Sequence, residues 1–110
     1  MTVNLIGSFV FIKLGYGILS SMYHNIHETE PFPETAKCVA YNNPKNYPDD
    51  LFDGIYKTVW IERTRIDKTD LKIERQANGS YKLTWHDAKK TYYEGIGFLR
   101  TNELIGSYWQ

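Results

Sequence analysis

The second half of the chain alternates apolar and polar side chains in short runs that turn residues separate. In Asp70–Arg75 aliphatic residues alternate with charged ones, and in Ser80–Trp85 aromatic and aliphatic residues occupy every second position. A period of two residues is typical of strands that bury one face, whereas an amphipathic helix repeats about every 3.6 residues. Between these two runs stands Asn78-Gly79, a strong hairpin signal because both residues tolerate positive φ. The pattern predicts consecutive antiparallel strands.

Further runs of the same kind occur on both sides. Five strands are predicted in the second half, at Gly54–Ile61, Asp70–Arg75, Ser80–Trp85, Thr91–Leu99 and Glu103–Trp109. In the first half, two strands flank Leu14-Gly15 and a short one covers Cys38–Tyr41. We therefore predict an all-β fold, an up-and-down antiparallel meander of seven or eight strands that forms a closed or nearly closed small barrel.

Two segments of the first half do not alternate clearly. The segment 24–37 contains two prolines and several charges and is predicted to be a loop, in which Glu28, Glu30 and Glu34 are solvated. A short turn within Pro48–Phe52 is the best candidate for helical structure. No other segment predicts a helix.

The length and charge of the chain limit the classes of function. With 110 residues, a single domain over 1–110 is expected. Thirteen basic and thirteen acidic residues cancel, so no overall field favours nucleic acid or an anionic membrane, and neither partner is expected. No uninterrupted apolar stretch approaches the roughly 18 residues of a membrane-spanning helix. The single cysteine, Cys38, excludes an intrachain disulfide and is compatible with the cytoplasmic location that we expect.

The glycines of Gly95-Ile-Gly97 resemble part of a phosphate-binding loop. Such a loop follows a strand and begins a helix, whose N-terminus binds the phosphate groups. Here a polar turn and another strand follow instead. We therefore predict that both glycines lie within a strand, where they leave room for large facing side chains.

Catalytic and metal-binding residues were sought among the histidines, the cysteine and the acidic residues. His24, His27, His86 and Cys38 could bind a metal ion or support nucleophilic chemistry only if the fold brought them together, which the sequence does not determine. No paired constellation is visible along the chain. We expect no catalytic residue, no metal and no cofactor, and we expect a protein that is not an enzyme.

The aromatic residues are the most informative set, because 15% of the chain is Phe, Trp or Tyr. A small barrel needs such volume in its core, but buried Tyr and Trp also carry polar groups that seek partners. A cluster of them at a barrel mouth would bind a planar or apolar ligand, so the sequence leaves core and pocket roles open. The predicted ligand-binding residues are Tyr56, Trp60, Tyr81, Trp85, Tyr93 and Tyr108.

The stretches "GSYKLTW…YYEGIGFLRTNELIGSYW" and "VAYNNPKNYPDDLFDGIYKTVW" resemble the strand pattern of the calycin group, which includes lipocalin-like and avidin-like proteins. The resemblance covers roughly the C-terminal two thirds of the chain. It concerns the fold and implies an up-and-down barrel.

Two functions are consistent with these expectations. The first is a non-enzymatic binding module that holds a small apolar or aromatic ligand inside a calycin-like barrel. The alternative is a protein-interaction module, such as an inhibitor or immunity-type partner, that acts through an exposed edge strand or the 24–37 loop. A homodimer is also expected, because so many apolar side chains would otherwise leave exposed apolar area.

Overall fold

The barrel consists of eight antiparallel strands. A computed structural model describes residues 5–15, 17–40 and 52–110. The strands are β1 (Ile6–Gly15), β2 (Ile18–Asn25), β3 (Phe32–Ala40), β4 (Gly54–Glu62), β5 (Arg65–Arg75), β6 (Tyr81–His86), β7 (Thr91–Arg100) and β8 (Glu103–Trp109). Each strand pairs with the next along the chain, and β1 pairs with β8 to close the barrel. The predicted all-β meander is confirmed, including its closure.

Helices play no part in the described ranges, and none there could cross a membrane. The helical turn considered within 48–52 lies outside the described residues except for Phe52. The predicted strands of the second half are all present. One of them, β5, is longer than predicted and begins at Arg65 rather than Asp70.

The prediction of a loop over 24–37 is correct only for its middle, because residues 26–31 connect β2 to β3 and both ends of the segment belong to strands. His24 and Asn25 end β2, and β3 begins at Phe32. The strand forms because its residues alternate, with Phe32, Glu34 and Ala36 buried and Pro33 and Thr35 between them exposed. Pro33 is one of the exposed residues, in register with Met22 of the neighbouring strand. The proline and the charges masked this alternation in the sequence.

Inward-facing side chains fill most of the barrel. Alternate residues of every strand point to the barrel axis. In β5 and β6 these are the apolar positions of the alternating pattern in the sequence. A fully buried apolar cluster occupies the half of the barrel toward the β5–β6 and β7–β8 turns; it consists of Phe11, Leu19, Ala36, Leu71, Ile73, Leu83 and Leu104. These residues belong to one contiguous core cluster, and each of them is fully buried.

The predicted structural role of Gly95 and Gly97 is confirmed by their position. Both lie within β7 and are buried on its inner face. A Cβ at Gly95 would lie 3.2 Å from the indole of Trp85, and one at Gly97 would lie 2.9 Å from the side chain of Leu104. The two glycines thus provide the space that these larger side chains occupy.

The outer surface carries an apolar band across four neighbouring strands. Met22, Val10, Ile105 and Phe98 are consecutive partners in the register of β2, β1, β8 and β7. Phe98 is 53% exposed and Met22 is 47% exposed. The homodimer expected from the composition stays a prediction. Because β1 pairs with β8, the described strands leave no free barrel edge for an edge-strand partner.

The β5–β6 turn differs in one detail from the hairpin predicted by Asn78-Gly79. Only Gly79 has a positive φ, of 87°. Asn78 supports the turn through its side chain, because its Oδ1 accepts hydrogen bonds from the Ser80 backbone N–H (3.0 Å) and hydroxyl (2.6 Å). The glycine is therefore the residue on which the backbone conformation of the turn depends.

We predict that Gly79→Val lowers the free energy of unfolding by about 1 kcal/mol or more, because a β-branched residue resists positive φ. Gly79→Asn is the control and should cost less, since asparagine tolerates this region. Urea denaturation of the three proteins measures the difference. Equal midpoints for the valine variant and the wild type would contradict the prediction.

Candidate ligand-binding site

The inner surface becomes polar toward the opposite end of the barrel. This end is formed by the C-terminal ends of the even-numbered strands and the N-terminal ends of the odd-numbered ones. There the inward positions open into a cavity lined by Phe9, Tyr23, Asn25, Glu34, Trp60, Glu62, Trp85, Tyr93 and Tyr108. We refer to this space as the mouth cavity.

The mouth cavity is a funnel rather than an enclosed chamber. Its volume is about 30 Å³. A single water needs roughly 10–15 Å³. The deep part therefore accommodates very few atoms. A long apolar chain does not fit inside this barrel.

Glu34 is the most deeply buried charged residue of the cavity wall, with 3% of its surface exposed. It lies on β3, one step along the inner face from Phe32. Its Oε2 accepts hydrogen bonds from the Thr58 hydroxyl (2.5 Å) and from Nε1 of Trp85 (2.9 Å). This carboxyl thereby links β3 to β4 and, across the interior, to β6. Among the described residues no group donates to its other oxygen.

Burial sets the protonation of this carboxyl. Desolvation raises the pKa of Glu34 to about 7, although the hydrogen bonds from Thr58 and Trp85 act in the opposite direction. A carboxyl in an apolar wall loses the hydration of its charged form, and two donors on one oxygen recover only part of it. Glu34 can therefore change its charge near neutral pH.

Tyr108 is the second unusual polar group. It lies on β8 and is 5% exposed, and its hydroxyl has no hydrogen-bond partner among the described residues. Burial raises the pKa of Tyr108 to about 12. The Asn25 side chain lies near enough to lower this pKa slightly, but it does not meet the geometry of a hydrogen bond to the phenol. An unpaired buried hydroxyl costs roughly 1–3 kcal/mol, so its retention in a cavity wall calls for an explanation.

A third polar group stands nearer the rim. The Tyr23 hydroxyl donates to Oε1 of Glu62 at 2.7 Å, and burial together with this carboxylate raises the pKa of Tyr23 strongly. Arg65 approaches the other oxygen of Glu62 at 3.5 Å and donates to Asp67 at 2.7 Å. Because the Arg65 side chain is 69% exposed, it lies outside the cavity and faces solvent.

Aromatic rings form the remainder of the wall. Tyr108 is the centre of the group, with ring centroids of Tyr23, Trp85 and Tyr93 at 6.1, 5.9 and 5.7 Å. At the opening, Trp60 and Tyr93 are half-buried and meet edge to face at 6.3 Å. Burial raises the pKa of Tyr93, and the nearby Glu62 adds to this effect. A planar ligand would meet ring surfaces on several sides.

Four of the six predicted ligand-binding residues line this cavity, namely Trp60, Trp85, Tyr93 and Tyr108. Tyr56 and Tyr81 do not. Tyr56 donates its hydroxyl to the backbone oxygen of Phe52 at 3.0 Å, and the ring of Tyr81 packs against Phe52 at the closed end of the barrel. Both are core residues of the apolar half.

Glu34, Glu62, Asn25 and Tyr23 were missed by the sequence analysis. Glu34 was assigned to a solvated loop, and that assignment was wrong. Its position two residues after Phe32 and two before Ala36 indicates that it is buried, because a spacing of two residues places all three side chains on one face of a strand. The other three likewise lie in phase with buried residues of their strands.

The histidines and the cysteine do not converge. His24 and His27 are exposed, and His86 and Cys38 are half-buried on different strands. Among the described residues, no group of three or more His, Cys, Asp or Glu side chains is placed to hold a metal ion.

The fold and the site define a class: a closed eight-stranded antiparallel meander barrel with an aromatic and acidic cavity at one end, an architecture consistent with the calycin resemblance. Comparisons with protein families, curated proteins and solved structures found no match. The resemblance is therefore supported at the level of architecture.

The buried carboxyl predicts a specific pH dependence of stability. The folded pKa of Glu34, about 7, lies above the unfolded value of 4.5. Its contribution to stability is therefore fully present below pH 4.5 and is lost as the pH rises through 7. Glu34→Gln keeps an oxygen for Thr58 and Trp85 but cannot ionise. From pH 4.5 to pH 8, the free energy of unfolding of Glu34→Gln should rise relative to that of the wild type by up to about 3 kcal/mol.

Denaturant titrations at several pH values test this. Glu94→Gln, on the exposed face of β7, is the control and should leave the wild-type pH profile unchanged. A constant difference between Glu34→Gln and the wild type over this pH range would refute the assigned protonation change.

The unpaired phenol predicts an unusual response to a Tyr-to-Phe substitution. Tyr108→Phe removes a hydroxyl that has no partner and should raise the free energy of unfolding, by up to about 1 kcal/mol. Tyr56→Phe is the matched control, because it removes a hydroxyl that donates to Phe52, and it should lower stability by about 1 kcal/mol. Thermal or urea unfolding of both variants gives the two signs; destabilisation by Tyr108→Phe would show that its hydroxyl is satisfied.

Proposed function

We propose that this protein is a non-enzymatic binding module that holds a compact aromatic ligand in the mouth cavity. The main observation is the Tyr108 hydroxyl, which is buried in a wall of aromatic rings and has no hydrogen-bond partner in residues 5–15, 17–40 and 52–110. Ligand sites combine a mostly apolar wall with a few polar groups that fix orientation, and the mouth cavity has this composition. A ligand that hydrogen-bonds to Tyr108 would recover the interaction that the free protein lacks.

The shape of the cavity limits the ligand to a small, flat molecule. The deep part is narrow, and the apolar half beneath it is filled. A single ring could pack against Trp60 and Tyr93 at the opening and direct one polar substituent inward. The sequence predicts an apolar or aromatic ligand, and the shape and polar groups of the cavity favour a compact one that carries a polar group.

The two most informative tryptophans provide a matched test. Trp60 lines the mouth cavity, whereas Trp109 lies on the outer surface and is 38% exposed. We expect that at least one small planar aromatic compound from a panel of phenol, indole, benzamide, benzamidine and benzoate saturates the protein in the micromolar to millimolar range. Calorimetry reports the binding in the wild type and in each variant.

Trp60→Ala should weaken that binding at least tenfold, because it removes a wall of the opening, and Trp109→Ala should leave it unchanged. Circular dichroism checks that each variant is folded. If no compound of the panel shows saturable binding, or if both tryptophan variants lose it equally, the mouth cavity is not the binding site.

A further inference from the structure

The charges around the mouth cavity are asymmetric. Its lining includes two carboxyl groups, Glu34 and Glu62, and no Lys, Arg or His from the described part of the chain. The nearest guanidinium, that of Arg65, is exposed at the rim and already shared between Glu62 and Asp67. The interior therefore offers negative charge that no buried protein cation neutralises.

The hydrogen-bonding groups of the cavity are also unevenly divided between donors and acceptors. One oxygen of Glu34 receives two donors, and the other receives none from the described residues. The Tyr108 hydroxyl also has an unused acceptor oxygen, and that residue is 95% buried, since its exposure is 5%. The donors nearest Glu34 and Glu62 are already engaged, whereas the Tyr108 hydroxyl can still donate as well as accept. Around the two carboxyl groups, the described part of the cavity therefore has acceptors to spare.

The ring surfaces suit the same ligand. The faces of Trp and Tyr carry a negative quadrupole and attract cations within about 6 Å of the ring centroid. Trp60, Trp85 and Tyr93 all belong to the cavity wall. A flat cation would be attracted both by the rings around it and by the carboxyl groups beneath it.

From these observations we propose that the mouth cavity selects a compact planar cation whose charge is carried on N–H donors, such as an amidinium or a protonated aromatic amine. The proposal rests on the proposed binding function and specifies its ligand. In this arrangement Glu34 receives the charged N–H group through its unused oxygen, and the Tyr108 oxygen accepts a second hydrogen bond. Glu62 and the aromatic rings surround the remainder of the ligand.

Selectivity for a cation should depend on pH. The titratable groups that face the mouth cavity together with Glu34 are Tyr23 on β2, Glu62 on β4, Asp67 at the rim on β5, Tyr93 on β7 and Tyr108 on β8. The residues that β1 and β6 contribute, Phe9 and Trp85, do not titrate. The pKa of each of the three phenols is raised, so they stay neutral at physiological pH. Near neutral pH, Glu34 is the group with a displaced pKa that changes its charge, and a bound cation would favour its ionised form.

Three molecules of nearly the same shape test the proposal. Benzamidinium, benzamide and benzoate are planar single rings with charges of plus one, zero and minus one. At pH 8 we expect the wild-type protein to bind benzamidinium at least about tenfold more tightly than benzamide, and benzoate most weakly, as followed by calorimetry or tryptophan fluorescence. Below pH 7 the affinity for benzamidinium should fall by up to about tenfold per pH unit, while that for benzamide stays constant.

Glu34→Gln should remove both the preference for benzamidinium and its pH dependence while retaining binding of benzamide. Glu94→Gln, on the outer face of β7, is the matched control and should behave as the wild type. If Glu34→Gln does not fold, the pH dependence of the wild type and the variant Glu62→Gln test the same charge requirement. Glu62→Gln should reduce the preference for benzamidinium at least about threefold.

The outcomes separate the two proposals. Equal affinity for the three molecules, with loss on Trp60→Ala, would keep the binding function and overturn the selection of a cation. Preference for benzoate would overturn it as well and would assign the cavity to an acid. Absence of binding by all three, together with phenol and indole, would overturn both.

Discussion

The pairing of β1 with β8 is the constraint on which the rest of the structure depends, because it closes the sheet and fixes the volume of the interior. Closure needs β7 and β8 to approach closely, and they do so where Gly97 faces Gly106. A Cβ at Gly106 would lie 1.9 Å from the backbone oxygen of Ile96. Any larger residue at Gly106 would separate these strands. The close approach brings the wall of the barrel onto the rings of Phe9 and Trp85, so the available volume is nearly filled.

The fold follows from the sequence because the alternation of apolar and polar residues shows which side chains of each strand face inward. Alternation in the second half identified five strands and showed which residues face inward, and the Asn78-Gly79 signal identified the turn between two of them. The same rule was obscured in β3, where Pro33 and several charged residues occupy the outer face. A strand with a polar outer face and one acidic inner residue resembles a loop when it is judged by composition alone.

The candidate site was less predictable than the fold, for a physical reason. Parity indicates whether a side chain faces the axis, but it does not indicate how far along the axis the side chain lies. Tyr56 and Trp60 share one face of β4, and only Trp60 reaches the mouth cavity. That depth depends on the register of all eight strands, which long-range pairing sets. Glu34 shows the same limitation, since its burial results from β4 and β6, which supply Thr58 and Trp85.

The two halves of the interior have opposite effects on stability. The apolar half buries large side chains, and the phenol of Tyr56 there is paired, so its contribution is favourable. The mouth half contains a carboxyl that burial holds near its point of ionisation and a phenol without a partner. Both features lower the stability of the empty protein, and hydrophobic residues of similar size would avoid that cost. Buried polar groups that lower stability in this way are expected where a protein retains them for binding rather than for folding. Because Glu34 and Tyr108 both lie at one end of the interior, the apolar half can maintain the barrel while the mouth half carries the groups that the proposed ligand would contact.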